Sequence, residues 1–163
     1  MRAHKRSLVA AGVVLLFGAA GRYANGFVYS GAEAKELISA LSGSALYLGS
    51  AMTGGSATTL ALMLTLVGLV KRADEQFDGE MYKRVSLVSL LSTIILAGSV
   101  FLLLLLTIPV GEFERLPSSW YPRLYDVMYA LVISLSALLV ATVVLLYSTI
   151  NGLIAQITPT DDI

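Results

Sequence analysis

Residues 85–111 read VSLVSLLSTIILAGSVFLLLLLTIPVG, with no acidic or basic side chain among them. About 20 apolar residues make a helix that crosses the roughly 30 Å hydrocarbon core of a bilayer, and this stretch has room for one. The unbroken leucines from Leu102 to Leu106 contradict the in-out alternation of a barrel strand. Hydrocarbon cannot hydrate backbone groups, so a crossing of this composition is expected to be a helix, its N–H and C=O groups bonded within it.

Three more stretches lack charged side chains: residues 7–21, 37–70 and 127–160. Their interiors admit Gly, Ser and Thr, and Pro109 and Pro159 fall near stretch ends. Across all 163 residues only 13% are charged, about half the share of a soluble domain, and mean hydropathy is +0.79. The expected fold is all-α: one domain, a four-helix transmembrane bundle with short loops and helices near 7–29, 33–70, 85–109 and 123–151. This reading excludes an ordinary water-soluble fold and a disordered chain.

Two of the four stretches have awkward lengths. Residues 7–21 make only about 22 Å of helix, so full thickness requires continuation through Arg22 toward Tyr29. Arg22 would then snorkel to the headgroups. A signal peptide is the rival, with Arg2, Lys5 and Arg6 as its n-region and Ala19-Ala20-Gly21 as a weak cleavage site. An uncleaved first helix is the adopted reading. Residues 37–70 would make about 51 Å of helix. Ser30 and Glu33 form a capping signature ahead of this stretch. One long helix is expected; the competing reading breaks it at Gly54-Gly55.

Basic residues set the threading. With four crossings, Arg2, Lys5, Arg6, Lys71, Arg72, Lys83 and Arg84 fall on one side, and Arg22, Lys35, Arg115 and Arg123 on the other. This asymmetry places both termini in the cytoplasm. Trp120, Tyr121 and Tyr125 cluster at the opposite side, where an aromatic belt belongs. Compact loops and small size point to a bacterial inner membrane.

Few residues could carry chemistry. Eleven Lys and Arg balance eleven Asp and Glu, with no basic patch to follow a nucleic acid. Cysteine is absent and His4 is the one histidine, which argues against metal and cofactor sites. There is no phosphate-cradling glycine loop and no histidine pair for haem. Asp74 to Glu80 imitates the start of a calcium loop, with Gly79 at position six, but position twelve is Val85. A solvated acidic turn is expected there. No titratable group lies deep in a span, as proton relays and pumps require, and no base is placed to activate a serine. The chain is therefore read as non-catalytic.

The second helix holds the most informative pattern. Ala45, Gly49, Thr53, Ala57, Ala61 and Thr65 recur every four residues, with Ser50, Gly54 and Thr58 beside them. Such small residues permit close helix contacts. Three readings stay open: packing inside the bundle, an interface between copies, and a hydroxyl-lined water path. Ser86, Ser89 and Thr93 give the third helix a shorter polar stripe. Outside the spans, Glu112, Glu114 and Asp126 could gather cations at a mouth. The expectation is a self-associating, channel-like protein in lipid, with a scaffold or accessory subunit of a larger membrane complex as the alternative.

Overall fold

A computed structural model describes residues 2–24, 31–72, 79–108 and 120–157. Those residues form four helices: α1 (Arg2–Ala24), α2 (Gly31–Arg72), α3 (Gly79–Leu106) and α4 (Trp120–Ile157). Each is long and apolar enough to cross a membrane. The order is up-down-up-down: Arg22 meets Asp126, Thr53 meets Ser99, and Gly152 lies by Arg84.

The helices outrun several expected boundaries. α2 has 42 residues, about 63 Å of rise, and α4 has 38, about 57 Å. α2 passes through Gly54 and Gly55 without interruption, so the broken-helix reading is set aside. α1 begins at Arg2, several residues before residue 7. Its expected continuation to Tyr29, the Ser30 cap and most of the acidic turn lie outside the described residues. α3 stops at Leu106, three residues before Pro109, which disfavours helical geometry just ahead of it. Thr107 and Ile108 donate backbone bonds to Leu104 and Leu105, tightening the last turn. At the start of α4, Pro122 sits where a missing N–H leaves no helix bond unmade.

Most buried residues of α2, α3 and α4 follow a heptad seam, with Ala137 and Ala141 of α4 buried on another face. On α3 they are Val85, Val88, Ser92, Ile95, Ser99 and Leu102, spaced alternately by three and four. On α2 they are Ile38, Ala45, Gly49, Met52, Ser56 and Met63. α4 contributes Tyr121, Tyr125, Met128, Leu135, Thr142, Leu145 and Thr149. This 3.5-residue repeat keeps facing a neighbouring helix along its whole length.

Three apolar layers stack along the seam. One joins Ile38, Tyr121, Tyr125 and Met128. The middle one joins Met52, Ile95, Leu102 and Leu135. The third joins Met63, Val85, Val88 and Leu145. Each holds a methionine, whose unbranched chain fills irregular gaps between helices. The exterior is also apolar: Leu8, Val9, Phe17, Leu64 and Phe101 all point outward.

α2, α3 and α4 pack on one another, whereas α1 finds its substantial contacts on α4. Three polar contacts fasten α1. Ser7 Oγ donates to the Ala141 carbonyl at 3.0 Å, Tyr129 Oη donates to the Gly18 carbonyl at 3.0 Å, and Arg22 pairs with Asp126. Gly18 makes the close approach possible. A Cβ there would stand 2.6 Å from Ile133 Cδ1 and 2.7 Å from its Cγ2. Ile133 is branched at Cβ and has few rotamers to retreat into.

Gly18→Ala should therefore cost about 1–3 kcal/mol by overpacking the α1–α4 contact. Thermal melting in detergent measures it, with Gly12→Ala as the control, because a Cβ at Gly12 meets nothing within 4 Å. Equal melting of the two variants would contradict the close contact.

Candidate functional site

The four-residue row on α2 divides between two faces. Ala45 and Gly49 are buried and Thr53 is half-buried, while Ala57, Ala61 and Thr65 are exposed. Ser50, Gly54 and Thr58 are exposed as well. Helix geometry accounts for the division. Each step of four residues advances about 40° around the axis, so five steps turn the row by roughly 200°. The buried seam repeats every 3.5 residues and does not drift in this way.

The inner part of the row lies close against α3. A Cβ on Gly49 would lie 3.1 Å from Leu103 Cδ2. One turn on, Thr53 Oγ1 lies 2.8 Å from Ser99 Oγ. Thr53 is also 2.9 Å from the Gly49 carbonyl, and Ser99 is 3.0 Å from the Leu96 carbonyl. Two hydroxyl protons thus serve three acceptor contacts. Either Thr53 donates to Ser99 and Ser99 to Leu96, or Ser99 donates to Thr53 and Thr53 to Gly49. Both arrangements are chains in which each hydroxyl polarises the next.

The outer part of the row faces away from the bundle. Ser50, Gly54, Ala57, Thr58, Ala61 and Thr65 fall in one sector of about 100°, roughly opposite the seam. Gly43 and Gly68 lie in the same sector, and a Cβ on either, or on Gly54, would meet nothing within 4 Å. Thr58 donates to the Gly54 carbonyl at 2.8 Å and Thr65 to the Ala61 carbonyl at 3.0 Å. Their protons are committed to the helix, so their oxygens offer acceptor lone pairs outward.

On α3, Ser89 donates to Val85 and Thr93 to Ser89, so both of these stripe hydroxyls bond their own helix. Among the described residues, three apolar layers interrupt the buried hydroxyls along the bundle. The buried polar side chains among the described residues are Ser7, Ser56, Ser92, Ser99, Thr142 and Thr149, all hydroxyls. Ser56 Oγ and Ser92 Oγ are buried without a hydrogen-bond partner.

Of the expected mouth carboxylates, Glu112 and Glu114 lie outside the described residues. Asp126 stands on the first turns of α4, and its Oδ1 accepts from Arg22 Nε at 3.0 Å and Nη2 at 2.8 Å. The Arg22 guanidinium also lies 5.7 Å from the centre of the Tyr125 ring, which itself stacks on Tyr129. Arg22 and Asp126 are 104 residues apart, and no local spacing announces their pairing. The lone signal was that the threading put both on the same side. Among the described residues no three His, Asp or Glu side chains gather as a metal site would require.

Comparison with family models, curated proteins and solved structures finds no match to this chain.

Removing a buried hydroxyl that lacks a partner relieves a desolvation cost. Ser56→Ala and Ser92→Ala should each raise the melting temperature in detergent, whereas Ser99→Ala, which breaks the Thr53 contact, should lower it. A fall in all three would show that Ser56 and Ser92 have partners in solution.

Proposed function

We propose that the chain is a non-catalytic, multi-pass integral membrane protein whose copies associate through the outward face of α2 into a channel-like assembly. The observation that carries this is the uncovered sector holding Ser50, Gly54, Ala57, Thr58, Ala61 and Thr65. In lipid, small residues let helix backbones approach until dispersion contacts accumulate, and their hydroxyls add polar contacts across the interface. An outward strip of this kind on a 42-residue helix suits a second helix better than it suits acyl chains.

Membrane residence is supported by four apolar helices with an apolar exterior, a surface that water would not stabilise. The positive-inside asymmetry orients both termini toward the cytoplasm, in the reading of a bacterial inner membrane. α1 in this proposal is a retained helix, held by its contacts with α4. The conducting path in this proposal lies between copies, since apolar layers interrupt the interior of the single bundle. There it would meet the acceptor oxygens of Thr58 and Thr65, which suit water and cations.

Gly54→Leu separates bundle packing from association. A Cβ there meets nothing within 4 Å, so the melting of the monomer should hold. It overfills a contact between copies, so the oligomer seen by light scattering in detergent should dissociate. Gly49→Leu should instead destabilise the bundle itself through Leu103. Planar-bilayer recording should give conductance for wild type and its loss in Gly54→Leu. A sealed bilayer with an intact oligomer would overturn the channel reading. Pull-down of a stoichiometric heterologous membrane protein would favour an accessory subunit.

A further inference from the structure

A groove of about 400 Å³ runs between α1 and α4 on the outside of the bundle. Leu15, Ala19, Ala130 and Ile133 line its length, and Arg22 with Asp126 stands at one end. We propose that this groove holds one membrane phospholipid with an ethanolamine headgroup, its acyl chain along the helices and its zwitterion against the ion pair. The inference rests on the membrane residence proposed above and is independent of the association through α2.

Depth is the first argument. Arg22 lies in the last turn of α1, and Asp126 lies six residues after Trp120, which begins α4. Tyr23 and Trp120 are both exposed there, as residues of a bilayer interface are. Leu15 and Ile133 are seven residues farther along their helices, about 10 Å toward the middle of the spans. The groove therefore begins at headgroup level and continues into the acyl region.

Charge is the second argument. Arg22 and Asp126 sum to zero, so the site has no net attraction for an anionic headgroup. It presents a cation and an anion side by side, the complement of a phosphate and an ammonium two methylenes apart. The pair is open enough for contact: 30% of the Arg22 side chain and 52% of that of Asp126 remain exposed. The printed contacts from Arg22 fall on Oδ1 of Asp126, and a carboxylate has a second oxygen with acceptor sites of its own. A primary ammonium can donate to it, and a trimethylated choline cannot. Shape is the third argument, since Ala19 and Ala130 leave room between the helices where larger side chains would close it.

Native mass spectrometry of the purified full chain, exchanged into equal mixtures of phosphatidylethanolamine, phosphatidylcholine and phosphatidylglycerol, tests the proposal. Wild type should retain one phosphatidylethanolamine per chain, favoured by about tenfold, the size of one charge-assisted hydrogen bond. Ala130→Trp should abolish selective retention by filling the groove, and Asp126→Asn should bring ethanolamine and choline lipids level. Equal retention of all three lipids by wild type would overturn the proposal without recourse to any variant. Selectivity unchanged in both variants would also overturn it, as would photocrosslinking from position 130 to a second copy instead of to lipid. Release of the chain from membranes by carbonate washing is a separate measurement, and that result would overturn membrane residence itself.

Discussion

Each helix of this chain bonds its own backbone groups, the constraint that a bilayer would impose on four helices long and apolar enough to cross it. Each helix closes its own ladder, so what the described residues show holding one helix to the next is shape, a few hydroxyls and the Arg22–Asp126 ion pair. The seam answers with heptad spacing, three methionine-containing layers, and glycine at the closest approaches. Charged side chains take no part in the buried seam. The hydroxyls that do enter it are partnered by backbone carbonyls or by one another, apart from Ser56 and Ser92.

The polar inventory also limits what the interior can do. The chain of Thr53, Ser99 and their two carbonyls can reorient its protons, but it has no acid or base at either end. It orders the α2–α3 contact without offering a route for chemistry. Apart from Ser56 and Ser92, polar groups with spare capacity sit on the outside, on the far face of α2 and beside α1. A second copy or a lipid that approaches the bundle from outside would meet them there.

Much of the fold was legible because apolar length is a one-dimensional property. Four uncharged stretches give four helices, and the leucines from Leu102 to Leu106 already excluded alternation. The continuity of α2 was readable too, since paired glycines within a helix cost stability without forcing a break. The face of α2 was harder. A row at four-residue spacing looks straight on the page and winds on the helix, so Ala45 and Thr65 end on opposite sides. Recovering the seam required following Met52, Ser56 and Met63, residues too mixed in size and polarity to draw attention as a set. The pairing of Arg22 with Asp126 was beyond local reading, because it depends on which helix α1 packs against. That choice is made by Gly18 against Ile133 and by Tyr129, contacts that no periodicity in either helix encodes.

The dependence of α1 on α4 has a consequence for synthesis. α1 leaves the ribosome well before α4, the helix it packs on. Arg22 must wait through 104 further residues before Asp126 is made, about 5–20 s at ordinary elongation rates. Throughout that interval α1 lacks α4, while α2 and α3 can assemble once Leu106 is made. The nascent chain thus carries an unmated helix that a chaperone, a lipid or another polypeptide can reach before the fold is complete.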